Sequence, residues 1–108
     1  MTSHERQYFK LKQTDQILAW ATLKGQRFLA DVNRSFRYRV GISYVGYGII
    51  DDRLYSFSLD HVQQPSYQGL KPGFYYWHRP EKTDYTMADV IPIEAKQRTI
   101  PLGTFEDL

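Results

Sequence analysis

The sequence predicts an α+β domain: one amphipathic helix, about residues 14–34, packed on a mainly antiparallel sheet of four or so strands, with a Pro-interrupted C-terminal extension. Three observations lead there. Between Thr14 and Phe36 the apolar positions Ile17, Leu18, Ala21, Phe28, Leu29, Val32 and Phe36 recur at helical spacing. After Ser35 the period changes to two, as in a half-buried strand. All five prolines lie after Val62, so extended segments there must be short, at edges or interrupted.

Taken in order, Tyr8–Lys12 alternates weakly and reads as an initial strand. In the helical run the apolar positions occupy a wedge of about 120° that holds no charged residue. Thr14 or Asp15 supplies an N-cap and Asn33–Ser35 an exit. Gly25 falls inside the wedge, at a cost of roughly 1 kcal/mol relative to Ala. The same run also reads as a hairpin, Ile17–Leu23 and Gln26–Val32 turning at Lys24-Gly25; the wedge favours the helix. Phe36, Tyr38, Val40, Ile42 and Tyr44 then alternate with Arg37, Arg39, Gly41 and Ser43. Tyr55, Phe57 and Leu59 repeat the pattern after the turn-like Asp51-Asp52, which makes the two runs a long hairpin. Gly41, Gly46 and Gly48 mark a bend, a bulge or a close approach to the backbone. Phe74–His78 reads as a third hairpin strand, and Val90–Glu94 and Thr99–Leu102 as brief extended pieces broken by proline.

Residues 1–108 are read as a single compact domain in which 81–108 form an irregular extension packed on the rest. The order of elements is similar in outline to that of cystatin-like helix-on-sheet domains. No motif residues stand behind that likeness, and it implies no function.

With 42% hydrophobic and 24% charged residues the chain has globular composition, which excludes collagen-like, coiled-coil and disordered classes. Zero cysteines exclude a disulfide framework, a thiolate nucleophile and a cysteine-built metal site. The opening MTSHERQYFKLKQ lacks the apolar stretch of a secretory leader, and no segment approaches the roughly 20 apolar residues of a membrane span. A cytoplasmic protein with no membrane partner is expected. Charge is uneven: Arg6 to Arg39 holds eight basic residues against Asp15 and Asp31, although the whole chain is only +2.

Catalytic and cofactor chemistry finds little footing. Ser58, Asp60 and His61 cannot form a hydrolytic triad on a strand, because Ser58 and Asp60 share a face and His61 points to the other. The glycine cluster Gly41–Gly48 continues into Ile49-Ile50, without the lysine and hydroxyl residue of a phosphate loop. Two histidines, His61 and His78, lack a third ligand at metal spacing, so no metal and no cofactor is assigned.

The distinctive feature is the aromatic surplus, nine Tyr, six Phe and two Trp. Consecutive side chains in Phe74-Tyr75-Tyr76-Trp77 must alternate between faces, so a single-sided sheet leaves at least two of them outside its core. Tyr and Trp beside Arg are common interface anchors. The expected function is therefore a small non-catalytic protein-binding module of inhibitor or adaptor type, with Tyr47, Tyr67, Tyr75, Trp77 and Arg79 as its contact residues. A homodimer would use the same surface. The alternative is nucleic-acid binding, with Arg34, Arg37 and Arg39 on phosphates and Tyr76 stacked on a base. A second alternative is an enzyme or ligand pocket near His61 and His78.

Overall fold

The computed structural model describes residues 7–66 and 68–94. These residues form eight strands, β1 (Tyr8–Leu11), β2 (Ile17–Leu23), β3 (Gln26–Asp31), β4 (Phe36–Tyr38), β5 (Gly41–Ile50), β6 (Arg53–Val62), β7 (Gly73–Thr86) and β8 (Val90–Ile93), with one 3₁₀ turn at Met87–Asp89. Every ladder is antiparallel. The strands make one sheet in the order β7-β6-β5-β3-β2-β1-β8, and β4 pairs with β5 beyond the end of β3.

The α+β expectation is overturned, since among the described residues no α-helix lies on the sheet, and the stretch 14–34 expected to be helical holds the β2–β3 hairpin. Its turn is Lys24-Gly25, both at positive φ, 52° and 78°, as a two-residue type I′ connection requires. Helical spacing misled because these two strands bury side chains on both faces, which erases the period of two. Ala19, Trp20 and Ala30 lie off the helical wedge yet are buried or half-buried. The cystatin-like outline falls with the helix.

Two further expectations change. The alternating run from Phe36 to Tyr44 is a hairpin that turns at Arg39-Val40, with Tyr38 opposite Gly41, so Phe36 and Tyr38 face away from Ile42 and Tyr44. The proposed irregular extension begins as strand: residues 81–86 continue β7, and 90–93 are β8, where Pro92 pairs with Phe9 at the sheet edge. A proline fits there because, among the described residues, β8 has no further neighbour to receive an N–H. Thr99–Leu102 lies outside the described residues. Among the described residues, no helix is long and apolar enough to cross a membrane.

Between β3 and β4 the chain bulges out of the ladder, and two side chains replace the missing rungs. The Ser35 hydroxyl accepts from the Val45 N–H at 3.0 Å and donates to the Val45 carbonyl at 3.1 Å. The buried Asp31 carboxylate accepts from the N–H groups of Asn33 and Arg34, at 3.0 and 3.2 Å. Backbone groups are thereby satisfied where the ladder cannot reach them.

Alternation sorts the apolar residues onto two faces. One carries Leu11, Leu18, Leu29, Tyr47 and Leu54, and the segment leaving β7 closes over it with Tyr85, Met87 and Val90. That segment is pinned by hydrogen bonds from the Met87 N–H to the Asp52 carbonyl and from the Lys12 N–H to the Asp89 carbonyl, at 3.0 and 2.7 Å. The other face carries Ala19, Ala21, Phe28, Ala30, Ile42, Tyr44 and Leu59. Here the tip of the β2–β3 hairpin reaches toward β7, so that the Lys24 ammonium lies 4.6 Å from the centre of the Phe74 ring.

Candidate functional site

Among the described residues β7 and β8 are the two edge strands of the sheet, and the sequence of the longer one, β7, decides what its edge can do. From Gly73 to Tyr76 it pairs residue for residue with Leu59–Val62; then Ser58 pairs with His78, leaving Trp77 as the extra residue of a bulge. Two more register shifts follow before Arg53 meets Thr86. Three irregularities and Pro80 make the edge a poor template for an added strand. Recognition on this edge must run through side chains.

Those side chains are exposed in sequence. Tyr75, Tyr76 and Trp77 stand 36%, 45% and 69% exposed, and Arg79 is exposed with its guanidinium 5.4 Å from the Tyr76 ring centre. Tyr75, opposite Asp60, and Tyr76, opposite Leu59, point to different faces. The Tyr75 hydroxyl donates to the Lys71 carbonyl at 2.6 Å, and the Tyr76 ring meets Phe57 edge-on at 6.5 Å. Arg79, Tyr76 and Phe57 thus form a stack that runs inward from solvent.

Of the five residues expected to contact a protein partner, Tyr75, Trp77 and Arg79 gather on β7. Tyr47 does not join them: it is 7% exposed on the closed face, and its hydroxyl donates to Gln16 Oε1 at 2.6 Å. It lies on the face of β5 opposite Ile42 and Tyr44, as alternation predicts, but that face is covered by Tyr85 and Met87 and so is a second core face. Gln16 Nε2 in turn donates to Asp31 at 3.0 Å, so Tyr47 belongs to a buried structural network. Burial holds the Tyr47 hydroxyl above its ordinary pKa of 10.0, against the lowering effect of the Gln16 bond. Tyr67 lies outside the described residues.

The residues of the nucleic-acid alternative are spread out. Arg34 faces the Asp31 carboxylate at 3.9 Å, Arg37 lies on β4 opposite Ile42, and Arg39 occupies the turn. Tyr76 is on β7, separated from β4 by β5 and β6, a span of roughly 14 Å across three inter-strand spacings.

The two histidines also part. His61 pairs with Phe74 and stacks on its ring at 4.4 Å and 12°, whereas His78 pairs with Ser58 on the other face. Burial lowers the His61 pKa from 6.5. Next to it, Asp60 accepts from the Tyr38 hydroxyl at 3.3 Å, and the Tyr38 pKa is raised by burial and then by that carboxylate. Among the described residues, no group of three or more His, Asp or Glu side chains converges as a metal site.

A feature that the sequence reading did not reach is a groove of about 600 Å³ between the β2–β3 tip and the β5–β6–β7 face, within the range of about 300–1,000 Å³ typical of small-molecule sites. Phe28, Phe57, Leu59 and Phe74 give it an apolar floor, and Lys24 stands at its rim. Phe28 meets both Tyr44 and Phe57 edge-on at 5.3 Å, which fixes the rings without filling the space above them. The signal available in sequence was the Lys24-Gly25 turn, which puts Lys24 at a hairpin tip. No family model, curated protein or solved structure matches this chain.

Proposed function

We propose that this protein is a non-catalytic binding module that engages a protein partner through β7, with Trp77 as anchor and Tyr75, Tyr76 and Arg79 around it. One observation carries the reading: three consecutive aromatics are exposed on a strand that is an edge among the described residues and bulges at Trp77. An isolated apolar side chain on a surface needs no explanation, but a run of aromatics beside an arginine is the composition of interface centres. The partner presents an apolar pocket for Trp77 and a carboxylate for Arg79, which the Tyr76 ring already holds in place.

A photo-crosslinking phenylalanine analogue at position 77 tests this in cell extract. Discrete protein adducts are expected, competed by excess wild-type protein and far less by Arg79→Ala. An adduct of the chain with itself makes the partner a second copy. Adducts that nuclease removes, or labelling no more specific than from the same analogue at Arg39, would overturn the reading.

A further inference from the structure

We infer that the groove between the β2–β3 hairpin tip and the β5–β6–β7 face is a binding site for an amphipathic monocarboxylate, its apolar body on the phenylalanine floor and its carboxylate on Lys24. The inference starts from three glycines on one strand. At Gly41 and Gly46 a Cβ atom would run into the carbonyl oxygens of His61 and Leu29, so the neighbouring strands forbid any side chain there. Gly48 has no such reason. A Cβ there meets nothing within 4 Å, and its φ is not among the positive ones.

Gly48 is opposite Tyr55 in the β5–β6 ladder and lines the groove. Its missing side chain therefore keeps space open where a strand residue would ordinarily fill it. Glycine in a strand interior weakens the strand. Here the gain is room for something from outside the chain.

Charge selects the occupant. Lys24 and Arg27 are the charged residues lining the groove, and no carboxylate lines it among the described residues. Arg27 is already engaged, its guanidinium 4.3 Å from the Trp20 ring centre. Lys24 is exposed, makes no ion pair among the described residues, and holds its ammonium over Phe74 at the floor. A carboxylate offers that ammonium a charge-assisted hydrogen bond, stronger than the ring contact it would replace. An alkyl or aryl body on Phe28, Phe57 and Phe74 completes a site of the common kind, largely apolar with one convergent polar group.

The test is titration of the full chain with dodecanoate, dodecanol and dodecyltrimethylammonium, all below their aggregation concentrations, followed by amide chemical shifts. Dodecanoate is expected to shift residues around Lys24, Phe57 and Phe74 and to bind at least tenfold more tightly than dodecyltrimethylammonium. Lys24→Gln should erase most of that preference. Gly48→Val should weaken dodecanoate at least tenfold while the thermal unfolding midpoint stays at or above that of the wild type. Equal binding of the anionic and cationic probes, no binding of dodecanoate, or unaltered binding by Gly48→Val would overturn the inference. The groove shares Phe74, Tyr76 and Pro80 with β7, but Trp77 and Arg79 do not line it, so the crosslinking test at position 77 fails or succeeds independently of these outcomes.

Discussion

The two faces of the sheet carry similar numbers of large apolar side chains and put them to different ends. On the Leu18–Leu29–Leu54 face the chain finishes its own core: the end of β7 and the turn into β8 lay Tyr85, Met87 and Val90 over it, and Gln16, Asp31 and Tyr47 satisfy one another beneath. On the Phe28–Phe57–Phe74 face the hairpin tip arches across and stops, leaving a groove with a lysine at its rim. A return segment converts exposed sheet into structure; among the described residues none crosses the second face, which leaves sheet available for binding. The closed face should therefore govern stability, while the open face should tolerate change wherever it borders the groove.

The largest effect should come from the closed face. Leu54 is fully buried there, so Leu54→Ala leaves a cavity under the covering segment and should cost about 3 kcal/mol in urea unfolding, within the usual range for such truncations. A loss below about 1 kcal/mol would mean that the face is looser than its packing implies.

The buried end of the open face can be broken by pH. Tyr44 is fully buried beside Phe28, and burial, partly offset by Arg37, pushes its pKa from 10.0 up to about 12. The folded state then holds its proton more tightly than the unfolded chain does. The resulting stability is present in full below pH 10 and is lost between about 10 and about 12, a loss on the order of 2–3 kcal/mol. Tyr44→Phe should flatten that part of the stability profile measured by denaturant at successive pH values. An unchanged slope would place the hydroxyl in contact with water.

A smaller effect, of opposite sign, should appear where the closed face is fastened. Asp51 and Asp52 both sit at positive φ, 49° and 71°, and the Asp52 carbonyl receives the Met87 N–H. Only the backbone of Asp52 makes that bond. Asp52→Gly should keep it, relieve the left-handed conformation and raise stability by about 0.5–1 kcal/mol, read as a higher unfolding midpoint. A lower midpoint would show that the carboxylate itself matters.

This contrast between faces also explains what could be read from sequence. The β5–β6 hairpin was legible because Tyr55, Phe57 and Leu59 alternate with smaller polar residues, and Asp51-Asp52 is a turn by residue type. The first strand at Tyr8 and the exposure within Phe74–Trp77 were legible for the same reason, local alternation. The β2–β3 hairpin was not, because Ile17 to Ala21 and Phe28 to Ala30 are apolar without interruption. Strands buried on both faces show no period of two, and five of their side chains, with Val32 and Phe36 beyond them, fit a helical wedge by coincidence. The burial of Tyr47 depended on Tyr85 and Met87 covering its face, and the groove depended on the hairpin tip reaching β7, a contact between residues fifty apart in sequence that no local pattern records.

Gly46 and Gly48 lie on one strand and differ in what a side chain would meet, and they can be compared directly by urea unfolding of Gly46→Ala and Gly48→Ala. Gly46→Ala drives a methyl group into the Leu29 carbonyl and should lose about 2–3 kcal/mol, whereas Gly48→Ala, opening onto the groove, should match the wild type or exceed it by up to about 1 kcal/mol. Equal losses at the two positions would contradict the account, because Gly48 would then be needed by the fold and the groove would not be space kept for a ligand.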